Sequence, residues 1–170
     1  MTYCVVGGVL PAIAQRVIGA REGFGPAGYK QPLLALAQRS CGDDRRIRAV
    51  LAVLSTCAII ALSAQLVRCE VPQPAALAAL SCAALLEWAV LDGTAAALAL
   101  GLVLAIFGPI AELPFVSLGA WHYIAPDYFP LHGLLPDATN GLSSLTGPCY
   151  FAVTTDALAL GRCFERDFDD

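Results

Sequence analysis

Charge is scarce in this chain of 170 residues. Asp, Glu, Lys and Arg together make up 14%, while hydrophobic residues reach 58%. Mean hydropathy is +0.68. Soluble domains carry about 25% charged residues, so the shortage excludes an ordinary soluble domain. It equally excludes a disordered chain, which needs low hydrophobicity and high charge. There is no basic excess either: the net charge is −4 and the pI near 5.0, which offers no face for nucleic acid. The seven cysteines (Cys4, Cys41, Cys57, Cys69, Cys82, Cys149 and Cys163) contain no CxxC pair. That argues against a zinc site or a disulfide framework, and they read as small apolar packing residues. Asn140 is the only asparagine and is followed by Gly-Leu, so no glycosylation sequon exists. No GxSxG, P-loop or Cys/His arrangement proposes a nucleophile, so neither an enzyme nor a cofactor is implied. His122 and His132, with Asp127 and Asp137 nearby, match no metal-ligand spacing. Trp121, Tyr123, Tyr128 and Phe129 around them read as an interfacial aromatic belt.

What the chain does have is long apolar runs. A spanning helix needs about 20 largely apolar residues. Residues 49–67 carry no formal charge; 71–91 carry only Glu87; 93–119 carry only Glu112; 142–160 carry only Asp156. Residues 1–15 are uncharged but short, either a first span or the remaining part of a longer helix. The expected fold is an all-α, polytopic transmembrane bundle with five candidate helices. Seven of the ten basic residues (Arg16, Arg21, Lys30, Arg39, Arg45, Arg46 and Arg48) fall between the first two candidates. The positive-inside rule puts loop 16–48 on the cytosolic or stromal side. Alternation then places Asp92 and the tail from Arg162 on that same side and loop 120–141 on the far side. The fragment Gly23-Phe24-Gly25-Pro26-Ala27-Gly28 has the letters of a dinucleotide-binding loop. It has no preceding strand, and Pro26 deletes an amide, so it reads as a flexible loop.

Polar residues inside apolar runs are functional candidates. Pro109 interrupts one span and leaves the Ala105 carbonyl without its helical partner. Glu112 lies one turn beyond, followed by Pro114, and this kinked carboxylate is the most informative local feature. Glu87 stands beside Trp88, near enough to Asp92 to reach near-side water. Asp156 is flanked by Thr154 and Thr155, which offer it hydrogen bonds. Gly93, Ala97, Gly101 and Ala105 recur every four residues, a small-residue stripe that lets two membrane helices approach closely.

Several segments resemble the insulin-induced gene (Insig) family. Leu86-Glu87-Trp88-Ala89-Val90-Leu91-Asp92-Gly93-Thr94 is similar to its Trp-bearing helix ending in a cytosolic Asp. His122-Tyr123-Ile124-Ala125-Pro126-Asp127-Tyr128-Phe129 resembles its Tyr-x-x-Pro-Asp-Phe loop, and Pro148-Cys149-Tyr150-Phe151-Ala152 with Gly161-Arg162 its last helix. Gly108-Pro109-Ile110-Ala111-Glu112-Leu113-Pro114 and Gly141-Leu142-Ser143 look closer to a plant and algal branch of membrane proteins. The resemblance runs from about Ile47 to Arg162. It implies a six-helix bundle whose first helix has no counterpart here, and residence in the endoplasmic reticulum or a chloroplast membrane. It further implies a sterol or other lipid bound between helices, and an integral membrane partner held in part through Asp92. In animals those partners are an escort protein of sterol-responsive transcription factors and the reductase that makes mevalonate. The family's Gly-Gly near the middle of the last helix is absent: the chain reads Val153-Thr154-Thr155.

The expected function is therefore a non-enzymatic membrane protein that binds a sterol or other lipid and regulates or retains another membrane protein. The alternatives are a small proton-linked transporter working through Glu112 at the Pro109 kink, and a plastid membrane protein of other function.

Overall fold

The computed structural model describes residues 45–134, 136 and 140–165. Candidate helix 1–15 and loop 16–48 up to residue 44, including the Gly23 to Gly28 motif, lie outside them. Among the described residues the chain is all-helical, with no strand, and Tyr128 and Leu142 form an isolated antiparallel bridge. Four long helices are α1 (Arg45–Arg68), α2 (Gln73–Leu91), α3 (Ala95–Ile110) and α5 (Thr146–Glu165). A single short turn, α4 (Leu113–Ser117), follows α3.

Three stretches are long and apolar enough to cross a membrane: Ala49–Arg68, Gln73–Leu91 and Ala95–Ser117. The last joins α3 to α4. At about 1.5 Å per residue, each matches a hydrocarbon core of about 30 Å. Little of these stretches is covered by the protein itself, 11% of the first and 28% of the other two. On α1 the inward residues are Ala52, Ser55, Thr56, Ile59, Leu62, Ser63 and Leu66, a single stripe related by i+3 and i+4 spacings. Val50, Leu51, Val53, Leu54 and Ile60 face outward. An apolar outer surface of this extent suits a membrane-spanning helix.

The fourth long helix is the reverse. α1, α2 and α3 all pack on α5, and Phe151, Ala152, Thr154, Thr155, Asp156, Leu158 and Ala159 are buried. Surrounded by the other helices, α5 tolerates Asp156 and two threonines, which explains why it is the least apolar span in the sequence. Its start also moves. Residues 142–145, expected in the helix, instead form the bridge to Tyr128 and a turn, and Pro148 sits in the first turn, where its missing amide is harmless.

The connections set the register. After α1, Val71 N–H bonds the Leu66 carbonyl and Glu70 N–H that of Val67, a Schellman closure with Glu70 in the left-handed position at φ 52°. Pro72 caps α2. The expected helix 93–119 is broken into α3 and α4. Pro109 offers no N–H to Ala105, and Pro114 offers none to Ile110, so the ladder stops at Ile110. Glu112 N–H turns back to Pro109 at 3.1 Å, and the Glu112 carbonyl starts α4.

Candidate functional site

The sequence-predicted residues fall into four places. The small-residue stripe of α3 lies along α5. A Cβ on Gly101 would stand 2.8 Å from the Phe151 ring, and one on Gly108 2.6 Å from the Tyr150 ring. A Cβ on Gly147 would stand 2.9 Å from the Ala105 carbonyl oxygen, the group that Pro109 leaves without its helical partner. The α3–α5 seam therefore consists of rings seated on glycines and a backbone covered by Gly147. Ala97 is fully buried on the same face, while Gly93 belongs to the preceding turn, at φ 67°.

At the Asp92 end, the turn between α2 and α3 is closed by its own side chains. Asp92 is 2% exposed. Its Oδ1 accepts from Thr94 N–H at 2.9 Å and from the Thr94 hydroxyl. Thr94 Oγ1 in turn accepts from Ala97 N–H at 3.2 Å, capping α3. Trp88 Nε1 donates to the Thr94 carbonyl at 3.0 Å. Asp92 thus shapes the turn from within.

At the opposite end, Glu112 is half-buried. Tyr150 Oη donates to its Oε1 at 2.7 Å, and Tyr123 Oη to its Oε2. The carboxylate ties the α3–α4 break to α5 and to the connecting loop. Burial, followed by the bond to Glu112, pushes the Tyr123 hydroxyl above the ordinary phenol range. Nearby, Asp127 accepts from Ser144 N–H at 2.7 Å, from Ser144 Oγ at 2.5 Å and from Gln73 Nε2 at 2.8 Å. Segments 122–129 and 141–143 lie against each other: Leu142 and Tyr128 exchange backbone hydrogen bonds, and Pro126 and Phe129 cover Gly141. Between this corner and the kinked end of α3 opens a cleft of about 330 Å³. Ile106, Pro109 and Ile110 form its apolar wall; Asp127, Ser143 and Ser144 form its polar rim.

The fourth place is in the middle of the bundle, where Glu87 of α2 and Asp156 of α5 meet. Expected to reach water, Glu87 is instead 6% exposed, and Asp156 is 5% exposed. The Glu87 carboxyl faces Ser55, Asp156 and Thr56. The Thr56 hydroxyl donates to Asp156 Oδ2. Thr154 and Thr155, the expected partners of Asp156, bond the carbonyls of Tyr150 and Ala152 on their own helix, at 2.7 and 2.9 Å. The inward turn of Glu87 has a sequence signal. It falls on one helical stripe with Ala76, Leu80, Ala84 and Leu91. Glu112 does not join this pair.

Among the described residues no group of three His, Cys, Asp or Glu side chains is placed to hold a metal. No known protein family matches the chain, and comparison with curated proteins and with solved structures finds no match.

Proposed function

We propose that this is a non-enzymatic integral membrane protein that binds a neutral, hydroxyl-bearing lipid in the cleft between α3, α5 and segments 127–128 and 143–144. The observation that carries this reading is the composition of the cleft. Its wall is apolar and continuous with the outward face of α3 at Ile106, which is 60% exposed, so a bilayer lipid reaches it without crossing water. Its rim supplies acceptors and hydroxyls for an alcohol, while Asp127 disfavours an anionic headgroup. Steroid and diacylglycerol alcohols both have this chemistry, and the resemblance to Insig proteins favours the sterol.

On the same resemblance, lipid binding regulates or retains a second integral membrane protein, in the endoplasmic reticulum or a plastid membrane. The part of Asp92 in that contact is to fix the shape of the Leu91 to Thr94 turn, since its Oδ1 accepts both Thr94 bonds inside it. A proton-carrying role for Glu112 is the weaker reading, because both of its carboxylate oxygens accept from tyrosines.

The test is photo-crosslinking of the detergent-purified protein to a sterol probe, with competition by unlabelled oxysterol and by diacylglycerol. Saturable labelling competed by oxysterol, and lost in Ile106→Trp, which fills the cleft, supports the sterol reading. Competition by diacylglycerol alone keeps the lipid site and changes its ligand. Labelling that does not saturate, or that survives Ile106→Trp unchanged, refutes the cleft as the site.

A further inference from the structure

Independently of the lipid cleft, the Glu87–Asp156 pair is left short of hydrogen-bond donors. Oε1 and Oε2 of Glu87 and Oδ1 of Asp156 are buried with no hydrogen-bond donor. The surrounding hydroxyls are committed elsewhere. Ser55 Oγ donates to the Leu51 and Ala52 carbonyls at 2.8 and 2.9 Å, and Thr56 donates to the other oxygen of Asp156. Three acceptors therefore converge from α2 and α5 with no hydrogen to share. A buried acceptor of this kind costs the full desolvation of the group, and two such carboxyls side by side without a counter-charge cost far more. The neighbouring titratable group is Cys149 of α5, on the side toward Ser63, a neutral thiol donor at most. Among the side chains that the structure describes, no Lys, Arg or His faces the pair.

We propose that Glu87 and Asp156 form a proton-binding site, in which a proton held between the two carboxyls supplies the missing donor. One protonated carboxyl donates to the other and satisfies two of the three oxygens at once. The Thr56 bond then hangs α1 on the same group. α1 touches the bundle through a single stripe, so the site joins the three helices α1, α2 and α5. Loss of the proton places two like charges where these helices meet and loosens α1, which makes helix packing responsive to protons.

The experiment is infrared spectroscopy of the full chain in lipid nanodiscs across a pH series, alongside its thermal unfolding. The wild type is expected to show a protonated-carboxyl C=O band that shifts on deuteration, is lost in Glu87→Gln/Asp156→Asn, and fades as the pH is raised. Its unfolding midpoint is expected to fall over the same pH range, by on the order of 5 °C, with the double amide variant flat. Absence of a band assignable to the pair at any pH overturns the proposal, and that reading needs only the wild type should the variant fail to fold. An unfolding midpoint that responds to sodium at fixed pH and not to pH also overturns it, in favour of a metal-cation site. Sterol labelling of the cleft is read separately and does not depend on either result.

Discussion

Gly147→Ala and Gly147→Val probe the seam on which this packing rests. A methyl at residue 147 would stand 2.9 Å from a backbone oxygen of α3, against about 3.3–3.6 Å for a favourable carbon–oxygen contact. Unlike the Phe151 or Tyr150 rings, a backbone carbonyl cannot swing aside, so α3 and α5 must separate by several tenths of an ångström. Overpacking of this kind costs about 1–3 kcal/mol. For alanine, part of that is offset by the reduced entropy of the unfolded chain, worth about 0.4–1 kcal/mol. The net expectation is about 1 kcal/mol for alanine. It is about 3 kcal/mol for valine, whose extra methyls meet the same carbonyl, a factor of roughly 150 in the folded-to-unfolded ratio. The assay is unfolding by a denaturing detergent titrated into mixed micelles, followed by the fluorescence of Trp88 and Trp121. The comparison is Leu102→Ala on the outward face of α3, where lipid replaces the lost side chain and the cost stays below about 1 kcal/mol. Equal stability of Gly147→Val and wild type, or a larger loss in Leu102→Ala, would refute the packing argument.

Other expectations are smaller. Glu70→Gly relieves a side chain in the left-handed region and should stabilise by about 0.5–1 kcal/mol, read as a raised detergent midpoint; no change would remove the strain argument. Thr94→Ala deletes the cap of α3 and the bond to Asp92 and should cost about 1–2 kcal/mol, with Thr94→Ser recovering most of it in the same assay. Tyr123→Phe should cost about 1 kcal/mol, reduced by the partial exposure of the pair. Because the folded hydroxyl titrates above the ordinary value of 10.0, that contribution is fully present below pH 10 and shrinks as the pH rises past it. A wild-type-minus-variant difference that stays constant above pH 10 would contradict this.

How far the sequence led differs from element to element. The outer helices were legible because lipid-facing spans must be apolar along their whole length. α5 was the weakest run for the opposite reason: a helix covered by protein needs no apolar coat. Its start was misplaced because Leu142-Ser143-Ser144-Leu145 carries no charge to mark the boundary, while the pairing of Leu142 with Tyr128 is a long-range contact that no local pattern reports. The break of the third span followed from proline chemistry, but both Pro109 and Pro114 are needed to place it at Ile110. The meeting of Glu87 and Asp156 was half-visible. Helical spacing puts Glu87 on one stripe with Ala76, Leu80, Ala84 and Leu91 of α2, and Ser55 and Thr56 on the inner stripe of α1. Which face of α5 they meet depends on the bundle, and the adjacent threonines drew the expectation to the wrong partners. The tyrosines that hold Glu112 come from 11 and 38 residues away, beyond any motif.

The central claim is that α1, α2 and α3 present their apolar faces to lipid while α5 is shielded within. Nitroxide labels at Leu54, Leu86 and Ile106 in reconstituted bilayers test it most directly. The account expects all three to relax readily with oxygen and hardly at all with a water-soluble nickel chelate, while a label at Val153 on α5 is shielded from both. Ready access of the nickel chelate to Leu54, Leu86 and Ile106 would contradict a membrane-spanning bundle.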